Sequence, residues 1–585
     1  MSLILPTVLL ALLSGLLYHL YLYGQNLTIA RRIGLPYFSS IIPDNKTWYF
    51  IAMNMGPLFH LLPHRLAAYV NFTTYLRRWH SKYTVHEEVG DVLVMITSGA
   101  MHVYVADADA AQEVLNGRGR FWKPSWNYSH LKLFGDNVVA CDDTTWVHHR
   151  KHVGPPFNER NNGLVWTQAI AQATGMLQSW HTQPPLADYA APSSPNSLLV
   201  SSTLRDFRRI TLYVISSAAF GVSLSFSTGV DAANTGGENA FFSDGTPPPG
   251  YSRCWRAALE HISLHLPTII AALSLPAWAS RGARKAIADV EGYVNALIRR
   301  EREKVKEKGA STAGVGGGNL LSSLVHTHTE DDGGTDTLTD REIIGNTFIF
   351  SIAGHETTAT TMQYALVMLA LHPEEQEWFL NRLDEQLAGL PEDPSQWDYK
   401  VYDRLAVVRC LMLETLRLFP PVPGHAKSTL TPQPLTFRGQ THHLPAHTMV
   451  TVNAAGLHQH PSYWGPHASR FQPALWDATN KTSHLAQFPQ PEGDWAEAPG
   501  LYRPRMGSYV PFSGGQRVCL GRKFASVEFV AVVAVVMRGR RVRCARKGAE
   551  TQQQAMERVR GCVDRSTGLM ALCMTDEVGV VLEER

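Results

Sequence analysis

One cysteine in this 585-residue chain stands in a setting suited to chemistry. Residues 512–521 read Phe-Ser-Gly-Gly-Gln-Arg-Val-Cys-Leu-Gly, and a helical pattern follows from Arg522 to Met537. A cysteine sulfur that bonds a metal must be deprotonated and held still. Gly515 and Gly521 lack side chains, so backbone N–H groups can approach the Cys519 sulfur. The start of the next helix adds positive potential that favours the thiolate. Phe512 can shield the loop from water, and Arg517 can hold an anionic group on whatever the sulfur binds. A glycine-rich turn around an inert core cysteine is the plain alternative, and it weakens as upstream residues supply the rest of a site.

Three upstream groups do so. Thr339-Asp-Arg-Glu342 reads as a capping box and opens a long apolar run that Pro373 stops. Midway lies Ala353-Gly354-His355-Glu356-Thr357-Thr358. Polar residues inside a buried helix cost free energy unless they have partners or work. The small pair leaves room for a diatomic ligand, and the Thr357 hydroxyl and Glu356 carboxyl can relay protons to it. Threonines that merely bond back to the preceding turn and bend the helix are the alternative. Glu414-Thr-Leu-Arg417 puts opposite charges on one helix face among apolar neighbours, as a structural support would. Trp146-Val-His-His-Arg150 aims an indole N–H and a guanidinium to one side, where both can hold a carboxylate.

PFSGGQRVCLG resembles the haem-binding signature of cytochrome P450s. AGHETT, ETLR and WVHHR resemble that family's oxygen-pocket, Glu-x-x-Arg and Trp-x-x-x-Arg motifs, and all four stand in family order. The resemblance covers roughly residues 85–580 and is closest to fungal, membrane-anchored, microsomal members. It implies a mainly α P450 fold with a smaller β-rich lobe. It implies haem b, with Cys519 as axial iron ligand and Trp146, Arg150, Gly354, Phe512, Gly515, Arg517 and Gly521 around it. Thr357 and Glu356 become the catalytic hydroxyl and acid, and Glu414 and Arg417 the support of the haem loop. The implied activity is a monooxygenase that inserts one atom of O2 into a lipophilic small molecule. Electrons come from NADPH through a separate NADPH–cytochrome P450 reductase, with cytochrome b5 as a second donor. The family's third support residue, an Arg in a Pro-x-Arg-Phe/Trp stretch, is replaced here: Pro473-Ala-Leu-Trp476 carries Leu475. Arg470, Arg503 and Arg505 are the candidates to stand in for it, and Lys427 is a further basic contact. Two other readings keep the haem: a rearranging or dehydrating P450, disfavoured by Glu356 and Thr357, and a haem protein without turnover, prompted by Leu475. The pocket walls near Trp126–Val139, Phe348–Ala353, Val422–His425 and Thr567–Met570 are largely apolar or small, and fungal secondary metabolism follows by analogy.

These residues need a large frame, and the composition supplies it: 44% hydrophobic, 18% charged. There is no internal repeat, so residues 85–585 are expected to form one catalytic domain. The near-zero net charge of +2 gives no case for nucleic acid. Seven cysteines without a CxxC pair argue against a disulfide framework or structural zinc. His148/His149 and His442/His443 read as solvated residues, and 92–105 as a β-hairpin. Segments near 183–197, 226–250, 308–337 and 477–506 read as surface insertions. Leu3–Tyr23 contains no Asp, Glu, Lys or Arg, and about 1.5 Å per residue carries it across a bilayer core. A transmembrane anchor is therefore expected at 1–30, followed by a membrane-proximal linker at 31–84. Arg31 and Arg32 place the rest on the cytosolic side, at the endoplasmic reticulum membrane. A cleaved signal peptide is the competing reading, but it lacks a basic start and a small-residue cleavage site.

Overall fold

The computed structural model describes residues 4–40, 61–182, 188–190, 196–222, 280–308, 319–326, 337–489, 500–568 and 570–585, with isolated positions between 224 and 269. Nearly all of the insertion expected at 226–250, much of those at 183–197 and 308–337, and 490–499 lie outside these residues. Eight helices bear on the argument: α1 (Ile4–Ile33), α2 (Ala108–Asn116), α3 (Asp143–Val153), α4 (Glu159–Thr182), α5 (Thr203–Phe220), α6 (Asp340–Leu371), α7 (Ala406–Leu418) and α8 (Arg522–Met537).

Helix α6 is the axis of the molecule, and both its ends are set by local chemistry. Thr339 accepts from the Glu342 N–H at 3.3 Å, while Glu342 accepts from the Thr339 N–H at 2.8 Å. The far end stops at His372 because Pro373, which cannot continue a helix, opens the next one. Nearly every residue between is buried, so neighbours cover α6 on all sides, α5 most extensively.

The β-rich lobe is a five-stranded sheet of β1 (Tyr37–Ser39), β2 (Val92–Ile96), β3 (Met101–Val105), β4 (His425–Ser428) and β5 (Met449–Val452), in the order β1-β2-β3-β5-β4. β2 and β3 are the expected hairpin, closed where the Ala100 N–H bonds the Thr97 hydroxyl at 3.0 Å. β4 runs antiparallel to β5, which brings His425 and Lys427 toward the centre. A three-stranded sheet of Ser197–Val200, Arg540–Cys544 and Val580–Glu584 fastens the C-terminus.

Two expectations change. Among the described residues no helix is long and apolar enough to cross a membrane, so the transmembrane span over Leu3–Tyr23 is not supported. Helix α1 instead continues past Tyr23 through Gln25, Asn26, Arg31 and Arg32 and docks on the domain. Ala30 and Ile33 are buried, Asn26 donates to the Thr97 carbonyl at 3.0 Å, and the middle of the helix exposes Leu13, Leu16, Leu17 and Leu20. His149 and His442 are not solvated either. His149 is fully buried with Asn346 Nδ2 at 2.8 Å, and His442 meets the Ile33 carbonyl at 2.9 Å. A histidine pair on a helix or strand must point to two sides, and one side of each pair here is the core.

Candidate active site

The Cys519 loop is fixed from both flanks. Gly515 has φ +62°, and a Cβ there would collide with the Leu115 carbonyl at the end of α2. Ser513 is also left-handed at φ 62°, which a side chain tolerates only when the surroundings insist. The loop closes where the Cys519 N–H bonds the Phe512 carbonyl at 3.0 Å. At Gly521 there is open room, the nearest side-chain atom being Phe157 Cε1 at 4.0 Å from a built Cβ; what this residue supplies is its N–H toward the sulfur.

Cys519 lies deep in the protein yet opens onto an internal cavity of about 380 Å³. Burial pushes its thiol upward, opposed by the Gly521 N–H, Arg522 and Arg150. A cation at the sulfur would favour the thiolate.

The same cavity is walled by Ala353, Gly354, Thr357 and Thr358 of α6 and by Ile215 and Ala219 of α5. Past the first turn of α6 Ala353 alone is exposed, and it faces the cavity. A Cβ on Gly354 would collide with Ile215 Cδ1, so glycine here permits the close approach of α5. Thr357 reaches the cavity with its hydroxyl bonded to the Ala353 carbonyl at 2.8 Å. Glu356 does not join it there. It turns to α5, where Arg208 Nη2 stands at 2.9 Å, with His355 Nε2 at 3.4 Å. Burial alone would raise its carboxyl, but His355 and Arg208 outweigh that and pull it to about 2.

One edge of the cavity is cationic. Arg517 ion-pairs with Asp142, donates to the Cys141 carbonyl at 2.9 Å and lies 4.1 Å over the Trp146 ring. Arg150, one turn on in α3, lines the same cavity as Trp146, and its charge opposes the upward push on the Cys519 thiol. Lys123 and Lys427 share this edge. Burial, reinforced by Arg517, lowers Lys123 to about 7 and Lys427 to about 8. Lys123 escaped sequence reasoning; a lone lysine amid the aromatics of Phe121-Trp122-Lys123-Pro124 was its one signal.

Glu414 and Arg417 are both fully buried and form a bidentate pair at 2.8 Å on each arm. Arg417 also donates to the carbonyls of His458 and Arg470, at 2.9 Å each. Of the candidate arginines, Arg470 offers Arg417 its carbonyl and Arg505 pairs with Asp109 at 2.8 Å. Glu414 instead accepts from the Trp476 indole N–H at 3.0 Å and the Gln472 backbone N–H at 2.7 Å. Two neutral donors thus occupy the carboxylate where a second guanidinium was expected, and Leu475 packs against the core.

A family model for cytochrome P450 matches residues 63–559. This chain belongs to the cytochrome P450 family. It is 30% identical to a cytochrome P450 monooxygenase of Penicillium rubens, over 92% of this chain and 90% of that one. It is 25% identical to the phomenoic acid biosynthesis cluster cytochrome P450 monooxygenase of Leptosphaeria maculans, over 90% of each. The crystal structure of the cytochrome P450DA heme domain superposes with a TM-score of 0.63 at 20% identity, covering 94% of this chain and 98% of that one. The chain is thus a P450 monooxygenase, and the family and fold imply haem-thiolate iron. The residues fit that group: a cysteine sulfur opening on the cavity, apolar walls, and a cationic edge of Lys123, Lys427 and Arg517 suited to propionates.

Proposed function

We propose that the chain inserts one oxygen atom from O2 into a lipophilic small molecule of fungal secondary metabolism, with Cys519 as axial ligand of haem b. The observation that carries this is the placing of Cys519 and Thr357 on one cavity with apolar walls and a cationic edge. Haem, when bound, supplies the one-electron and dioxygen chemistry. The chain's own residues do the rest. The Gly521 N–H and the start of α8 steady the sulfur's negative charge. Arg517, Lys123, Lys427 and Trp146 hold the propionate edge, and Arg150 adds positive potential at the sulfur. Phe512 closes the loop against water. On the other face Ala353 and Gly354 leave space, and Ile215, Ala219 and Val139 present only hydrocarbon to the substrate. Thr357 Oγ1 holds a proton beside that space, and Glu356, kept a carboxylate by Arg208 and His355, would relay a further proton by first taking one up from solvent on leaving that pair.

Electrons are proposed to arrive from NADPH through a separate reductase, with cytochrome b5 as an auxiliary donor. The site of action is proposed as the cytosolic face of the endoplasmic reticulum membrane, with the exposed leucine face of α1 as the contact. The test is turnover under ¹⁸O2 with NADPH, a P450 reductase and a panel of neutral lipophilic compounds. One labelled oxygen per product molecule is expected; isomerised or dehydrated product without label would overturn the monooxygenase reading.

A further inference from the structure

The absent guanidinium at position 475 leaves open what ties the buried Glu414–Arg417 pair to the cysteine loop. The path runs through one backbone unit, Val510, two residues before Phe512. Its N–H donates to His458 Nε2 at 2.8 Å. Its carbonyl accepts from His425 Nε2 at 2.8 Å and from the Ser513 N–H at 3.1 Å. His458 in turn meets the Arg417 carbonyl through Nδ1 at 3.2 Å, and the Arg417 side chain bonds the His458 carbonyl at 2.9 Å.

These partners dictate the state of each ring. Facing a carbonyl, His458 Nδ1 must carry hydrogen; facing an N–H, its Nε2 must not. One neutral tautomer satisfies both. His425 Nε2 faces a carbonyl and must carry hydrogen. Burial lowers His458 to about 3 and His425 to about 4, so both rings are neutral at physiological pH. Neither partner of Val510 is a side chain of the loop itself. One stands on β4 and the other just past the short helix Ala454–Leu457.

We propose that His425 and His458 are positioning residues that clamp the backbone of Val510 from both sides and so set where the loop presents the Cys519 sulfur. The inference rests on Cys519 being the iron ligand. His458 carries the register of the Glu414–Arg417 pair into the loop, and His425 carries that of the β-sheet. A purely space-filling imidazole would not need this tautomer.

The test uses the haem-loaded enzyme and the band near about 450 nm of its reduced carbon-monoxide complex, which reports sulfur on iron. His458→Asn keeps a group at the Nδ1 position and loses the Val510 bond; His458→Gln keeps an acceptor near the Nε2 position. With haem content and helical circular dichroism as in the wild type, the Asn variant is expected to lose the thiolate band in most molecules. The Gln variant should retain more of it, and His425→Phe should lose part. Retention of the full band by His458→Asn, or equal loss in Asn and Gln, would overturn the clamp. If the variants do not fold, amide exchange at Val510 in the wild type decides: strong protection supports the clamp, and exchange as fast as that of the open loop refutes it. A wild type without the band refutes the Cys519 assignment instead, so the two failures are distinct.

Discussion

The two faces of the cavity are built on opposite plans. On the sulfur side the support is rigid and closed: a fully buried bidentate ion pair, neutral donors from Trp476 and Gln472, and two imidazoles on Val510. On the other side α6 carries a hydroxyl that opens on the cavity, Thr357, and a buried carboxylate, Glu356, in an ion pair with partly exposed Arg208. Holding a ligand in one place calls for over-determined contacts, whereas delivering protons calls for a group that can change partner. On the proposed reading, burial and charge serve geometry on one face and transfer on the other.

Substitutions should separate the two. The largest expected effect is Glu414→Ala, which leaves Arg417 as an unpaired buried cation and should cost about 3–5 kcal/mol of stability. Loss of haem-loaded protein and a lowered denaturation midpoint would report it. Next is Thr357→Ala, which should leave the fold and haem content intact while product formation drops on the order of 100-fold and NADPH consumption persists. A comparable fall in stability would break the contrast, because it would make the oxygen side structural too. Smaller again is Gly354→Ala. Its Cβ meets Ile215, so about 1–3 kcal/mol is expected, recovered in part by pairing it with Ile215→Ala.

At neutral pH the smallest effect is the acid response, yet it distinguishes the faces by where it begins. His458 and His425 are depressed from an ordinary value of 6.5 to about 3 and about 4. The unfolded chain therefore binds more protons below pH 6.5, and stability from the sulfur side falls from there downward. Glu356 is depressed from 4.5 to about 2, so its contribution is complete above 4.5 and is lost only as pH falls toward 2. Urea unfolding across pH should show His458→Gln flattening the upper window and Glu356→Gln the lower. The reverse assignment would contradict the account.

Much of the frame was legible because it is local. The capping box at Thr339 and the stop at Pro373 bound α6, and the stretch 92–105 read as a hairpin. The cysteine loop was legible because its glycines and Arg517 are close in sequence. What escaped depends on contacts between distant segments. Helix α6 is buried on all sides, so its sequence does not say that Glu356 faces α5 while Thr357 faces the cavity. Lys123 joins Arg517 only through the fold. The expectation at Leu475 was another charge, but a buried carboxylate accepts any N–H, and here an indole and a backbone amide supply two. The apolar run at the N-terminus gave its helix but not that helix's end, since Ala30 and Ile33 dock on the domain.

The central claim is that Cys519 bonds the haem iron. The reduced carbon-monoxide difference spectrum tests it most directly. The wild type should show a band near about 450 nm, and Cys519→Ala, folded and loaded with haem, should lack it. Absence of the band in well-folded, haem-loaded wild type, or its persistence in Cys519→Ala, would contradict the account.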